Sequence, residues 1–167
     1  VEYARMTDRG LANQGWKDSF DSVFHADGRA AEGPIALCEV QAYVFTAKRG
    51  AAGIAEALGE VELSRSLAAD AEALRQRFED RFWVDELGCY ALALDGRKEA
   101  CRVRSSNAGH ALFAGVAGPG RARGAAGPQA PAQPIGIRPQ QLVAGAVAQA
   151  VVHQLEVVQV DERHRRD

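Results

Sequence analysis

An all-α fold built from helical hairpins is what the sequence predicts, on three observations. Apolar residues recur mostly at steps of three and four from Ile35 to Leu58 and again from Leu63 to Phe82. The two runs are joined by only a few residues around Gly59, and a third run of small residues, Ala108–Ala117, follows a Ser/Asn cap. Steps of three and four keep side chains on one face of a helix. Two long helices with so short a connection must fold back antiparallel as a hairpin.

Residues 1–33 are polar and punctuated by Gly10, Gly15, Gly28 and Gly33, so they are expected to be loop, with a turn of helix around Ser19–Phe24. Pro34 suits the opening of the first helix, whose stripe reads Ile35, Val40, Val44, Ala47, Ala51, Ile54 and Leu58, and Gly59 suits its stop. The second helix carries Leu63, Leu67, Leu74, Phe78 and Phe82 on one face, with Arg65, Asp70, Arg75, Gln76 and Asp80 largely elsewhere. The stretch "CYALALDGRKEACRVR" alternates and contains Asp95-Gly96. Cys89–Leu94 and Cys101–Arg104 are therefore expected to pair as a short β-hairpin inserted between helices.

From Gly118 the composition changes, because five of the six prolines lie between Pro119 and Pro139. That stretch is expected to be non-helical, irregular or disordered. The run "LVAGAVAQAVVHQLEVVQV" suits either an amphipathic helix or a strand pair. The expected division is a helical domain over 1–117 and a Pro/Gly/Ala-rich linker and tail over 118–167.

Composition limits the function. A length of 167 residues suits one ordinary domain, and a net charge of −2 supplies no basic field to concentrate nucleic acid. Cys38, Cys89 and Cys101 are odd in number, widely spaced and without a CxxC pair, so they read as reduced, mostly buried thiols rather than zinc ligands. No uninterrupted apolar run reaches the roughly 18 residues of a membrane span. A cytoplasmic protein with no metal, no cofactor and no membrane partner is the expectation.

The chemistry-bearing stretch is "GWKDSFDS". Paired carboxylates of a glycosidase stand about 6.5–9.5 Å apart for inversion and about 5 Å for retention. Asp18 and Asp21, three residues apart, would share one helical face, whereas such pairs flank a substrate from opposite walls. The two are therefore not expected to be the pair. A Trp beside a carboxyl offers a stacking face for a sugar ring and raises the carboxyl's proton affinity. Trp16 as a packed aromatic and Asp18 as a helix cap fit the same residues.

Three blocks in order, "GWKDSFDS", "DGRAAEGPIALCEVQAYVFTAKRGA" and "CRVRSSNAGHALF", together resemble the amylo-α-1,6-glucosidase, or glycogen-debranching-like, glycoside hydrolases of the six-hairpin glycosidase superfamily. The likeness runs from about Asp8 to Ala117. It implies part of an (α/α)6 toroid and inverting general acid/base hydrolysis of α-glucosidic linkages in glycogen or maltooligosaccharides. It further implies that Asp18, two residues after Trp16, is the general acid. Trp16, Lys17 and Asp21 would then line the surrounding loop, with Glu39 and Gln41 of "EVQ" turned toward the sugar. Arg104, Asn107 and His110 are further substrate-binding candidates. Taken singly, Glu39 also suits a polar residue satisfied within the core, and His110 a structural histidine.

Beyond Gly118 nothing is similar to the family, and the segment carrying its general base, normally a Glu, has no counterpart. Glu156, Asp161 and Glu162 are not assigned that role. The expectation is two to three hairpin elements of a six-hairpin ring, incomplete or inactive by themselves and able to self-associate through exposed apolar helix faces. The abrupt change of composition predicts that another reading frame of the coding DNA restores family-like sequence. The alternative is a non-catalytic carbohydrate-binding or helical interaction module.

Overall fold

The computed structural model describes residues 1–126, with side chains to 122. Its frame is a pair of long helices, α1 (Cys38–Ala57) and α2 (Val61–Phe82), joined by a turn in which Gly59 takes φ +80°. A left-handed residue ends the first helix without the strain a Cβ would bring. Their pairing is antiparallel: Lys48 bonds Asp70, and both helices feed Phe45, Phe78 and Phe82 into one core. Tyr90 completes an aromatic stack on Phe78 at 4.7 Å between ring centres.

The buried stripe of α1 differs in phase from the one expected. Cys38, Ala42, Phe45, Ala52 and Ala55 face inward, while Ile54 and Leu58 are 65% and 74% exposed. Small residues let the helix axes approach closely, so the Ala/Cys stripe, not the larger aliphatics, meets the neighbouring helices. In α2 the inward face includes Leu74, Phe78 and Phe82 as expected, with Ala71 added, whereas Leu63 is exposed.

The first helix also starts later than Pro34. Ile35 bridges Tyr3, and β1 (Ala36–Leu37) pairs antiparallel with β4 (Ala93–Leu94) in the register Ala36↔Leu94 and Leu37↔Ala93. Pairing on both sides holds residues 35–37 extended, against the helical period of their side chains. A second short pair joins β2 (Trp83–Val84) to β3 (Cys89–Tyr90).

The expected hairpin is therefore shifted. Its 89–90 end is taken by Trp83–Val84, and the turn at Asp95–Glu99 closes only a short ladder through the bridge Leu94↔Ala100. Asp95 makes that turn itself, because its Oδ1 accepts from the backbone N–H groups of Arg97 and Glu99, both at 2.9 Å. Gly96 is required there: a Cβ would lie 2.5 Å from the Gly33 carbonyl oxygen.

A short helix, α3 (Asn107–Phe113), packs on α1 and stops before Gly115, at φ +70°. Residues 119–126 then differ from the irregular tail that composition suggested, since α4 (Pro119–Ala126) is helical. Proline at the first position has its φ already set for a helix. Glu79 on α2 anchors the start, accepting from the Gly118 N–H at 2.6 Å and from Arg121 at 2.6 Å. A carboxylate at a helix N-terminus complements its dipole. The run from Leu142 to Val160 lies outside the described residues.

The polar N-terminal segment is not a helix. It makes isolated turns, Gly10 N–H to the Thr7 carbonyl and Ser22 N–H to the Ser19 carbonyl, and then a small hairpin bridged at Phe24↔Ala30. Val23 enters a second core with Ile35, Leu37, Leu92 and Cys101. His25, against Asp95 at 3.3 Å, ties the same segment down. Among the described residues no helix is long and apolar enough to cross a membrane.

Candidate functional site

The loop that carries Trp16 is held from beneath. Buried Asn13 accepts from the Tyr3 hydroxyl at 2.9 Å and donates to the Ser19 carbonyl at 2.7 Å, and the Ser22 hydroxyl donates to the Lys17 carbonyl at 2.9 Å. Gly15 passes directly over the start of α1, where a Cβ would collide with Leu37 Cδ1 and stand 3.1 Å from Glu39 Oε1. Only glycine lets the backbone come so near. Trp16 and Lys17 then extend over α3: the indole lies 5.7 Å from the His110 ring, and Lys17 Nζ donates to Ser106 Oγ at 3.4 Å while sitting 5.1 Å above the indole.

Beneath them two helix turns face each other. On α1, Glu39 and Tyr43 are four apart; on α3, Asn107 and His110 are three apart, so each pair shares one helix face. Asn107 Nδ2 donates to Glu39 Oε2 at 2.7 Å, and the Tyr43 hydroxyl meets His110 Nδ1 at 2.6 Å. Residue 39 opposite 107 and residue 43 opposite 110 mean that the first turns of α1 and α3 run side by side in the same direction. Glu39 is only 1% exposed, whereas Trp16 is 57% exposed. The cluster thus has a buried polar floor and an open aromatic mouth.

Electrostatics follow from that shape. Burial pushes the Lys17 ammonium below its usual value, with the Glu39 charge acting in the opposite sense. Burial also lowers His110, opposed by Glu39 and reinforced by Lys17, so the neutral imidazole is favoured. The Tyr43 phenol is raised, first by burial and then by Glu39. Asn107 Oδ1 and Ser105 Oγ are buried without a hydrogen-bond partner among the described residues. An unpaired buried oxygen costs about 1–3 kcal/mol, which a bound donor would recover.

Of the residues singled out in the sequence, Trp16, Lys17, Glu39, Asn107 and His110 come together. Gln41 does not face the cluster: its amide donates to the Leu37 carbonyl at 3.1 Å and the Val1 carbonyl at 2.7 Å, bracing the N-terminal segment. Asp18 is exposed on the loop just past Lys17, and Asp21 is half-buried. Arg104 is exposed, and its charge is felt at Cys89, away from the α1–α3 contact. Tyr43 and Ser106 were missed, although the step of four from Glu39 marked Tyr43 as sharing its face. A cleft of about 310 Å³ between α1 and α2, edged by Arg49, Glu56 and Glu72, shares none of these residues. Among the described residues no group of three His, Cys, Asp or Glu side chains is placed to hold a metal ion. No family model matches the chain, and no curated protein matches it.

Proposed function

We propose that the chain is part of a glycoside hydrolase of the glycogen-debranching type, acting on α-glucosidic linkages of an α-glucan or maltooligosaccharide. The observation that carries this reading is the meeting of three distant sequence blocks at one site, through Lys17 with Ser106 and Glu39 with Asn107. Trp16 is the platform on which the apolar face of a sugar ring stacks. Lys17 and His110 bond its hydroxyls, and Asp18 donates the proton to the departing glycosidic oxygen. In an inverting mechanism a second carboxylate activates water from the opposite face.

The parallel first turns of α1 and α3, with α2 antiparallel to α1, support the toroid. Hairpins repeating in one sense around a ring place their first helices parallel to one another. Cys38, Cys89 and Cys101 are free and buried, which supports a reducing, cytoplasmic setting.

A second reading, carbohydrate binding without turnover, is favoured by the exposure of Asp18, since a general acid of this kind works from a water-excluded pocket. Hydrolysis and binding of maltodextrin and of a branched α-1,6 oligosaccharide, with Asp18→Asn as control, separate the two. Turnover abolished by that change supports the hydrolase. Binding without turnover in the unaltered protein supports the module, and neither binding nor turnover sinks both.

A further inference from the structure

We propose that Tyr43 is a positioning residue that locks His110 as a neutral imidazole with its proton on Nε2, so that His110 is a fixed hydrogen-bond donor at the mouth beside Trp16. Tyr43 Oη lies 2.6 Å from His110 Nδ1, and the two rings meet edge to face at 5.6 Å. A phenol is a good donor and a poor acceptor, because its oxygen lone pair is delocalised into the ring, while an unprotonated imidazole nitrogen is a strong neutral acceptor. Tyr43 therefore donates to Nδ1. In a neutral imidazole the other nitrogen must then carry the proton.

The charged form is disfavoured first by burial of the ring, and Lys17, a cation on the loop, adds to this. Glu39 on α1, one of whose carboxylate oxygens is engaged by Asn107, acts in the opposite sense without outweighing burial. Among the described residues no protein group accepts a bond from Nε2, so that donor is available to a ligand. Trp16, tilted 53° to the imidazole, forms the adjacent wall. A ligand oxygen presented beside a ring-stacking surface is what this geometry takes. A sugar hydroxyl is the form it has under the proposed function, on which the ligand part of the inference rests.

The lock itself is tested without ligand. Long-range ¹H–¹⁵N correlation spectra of ¹⁵N-labelled protein at neutral pH should show His110 as a single neutral tautomer, protonated at Nε2. Tyr43→Phe, which keeps the half-exposed ring and hence the fold, should convert it to a mixture of tautomers. An Nδ1-protonated or imidazolium His110 in the unaltered protein overturns the inference, as does a tautomer unchanged by Tyr43→Phe. For the ligand, binding of a maltooligosaccharide by titration calorimetry should weaken roughly fivefold in Tyr43→Phe and more in His110→Ala. His110→Gln, whose amide N–H stands near the Nε2 position, should recover part of it. Equal affinity in the unaltered protein and all three variants overturns the donor role. An unaltered protein that shows the tautomer but binds no sugar overturns the carbohydrate reading and leaves the lock standing.

Discussion

Glu39 is the residue on which the floor of the site depends. It is buried with Asn107 as its hydrogen-bond donor, and its charge acts on Tyr3, Lys17, Tyr43 and His110. Asn107→Ala removes that donor from a buried carboxylate and should cost about 1–3 kcal/mol, read as a lower urea midpoint with an unchanged slope. Gly15→Ala tests the overlying loop. Its new methyl meets Leu37 at the start of α1, so the loop must lift and Trp16 fluorescence should shift toward that of a more exposed indole. His110 makes a pH prediction. Its folded-state value lies below the ordinary 6.5, so the unfolded chain binds the extra proton first and stability falls as pH drops below that value. His110→Gln should lose less stability than the unaltered protein over the mildly acidic range in urea titrations. At this scale Trp16, Lys17, Glu39, Asn107 and His110 were candidates because the blocks that hold them resemble a glycosidase family; taken singly, the same residues suited a packed aromatic, a satisfied core acid and a structural histidine. Gln41 misled, since nothing in "EVQ" says that its amide turns back to the backbone of Leu37 and Val1.

The elements were legible in existence more than in extent. The α1–α2 hairpin follows from two long periodic runs and a glycine stop, but the start of α1 and the face it buries do not. Residues 35–37 are drawn out by partners at Tyr3 and at Ala93–Leu94, far away in sequence, which no local period reports. The helix at Pro119–Ala126 shows the same limit. Its composition argues against helix, yet Glu79 on α2 accepts from Gly118, Arg121 and the Tyr90 hydroxyl at once. Arg121 also lies over Trp83, 4.9 Å from the ring centre. Glu79→Ala should cost about 2 kcal/mol and should selectively speed amide hydrogen exchange in residues 119–126. Burial raises the Glu79 carboxyl, but the bonds from Tyr90, Gly118 and Arg121 outweigh it and hold it below the usual 4.5. A depressed acid stabilises above its unfolded value, so this clasp should weaken as pH falls below about 4.5.

Across the whole molecule, the turn end of the α1–α2 pair leaves Ile54, Leu58, Val61 and Leu63 exposed together. An apolar tip of this kind favours association. Sedimentation equilibrium should show a mass that rises with concentration, and Leu58→Glu should suppress the rise; a concentration-independent monomer mass in the unaltered protein would sink that expectation. Local pattern alone determined that the chain makes a helical hairpin, a short β element and a small third helix. Periodicity, caps and glycine stops are written within one or two turns, whereas the polar candidates rested on the likeness of three separated blocks. Only the tertiary structure decided which face of α1 is buried, that the Trp16 loop lies over α3, and that Tyr43 joins His110. The last two depend on contacts between residues 89 and 67 positions apart, and the first on packing of α1 against both α2 and α3; such contacts are selected by close packing of small residues and by hydrogen-bond satisfaction.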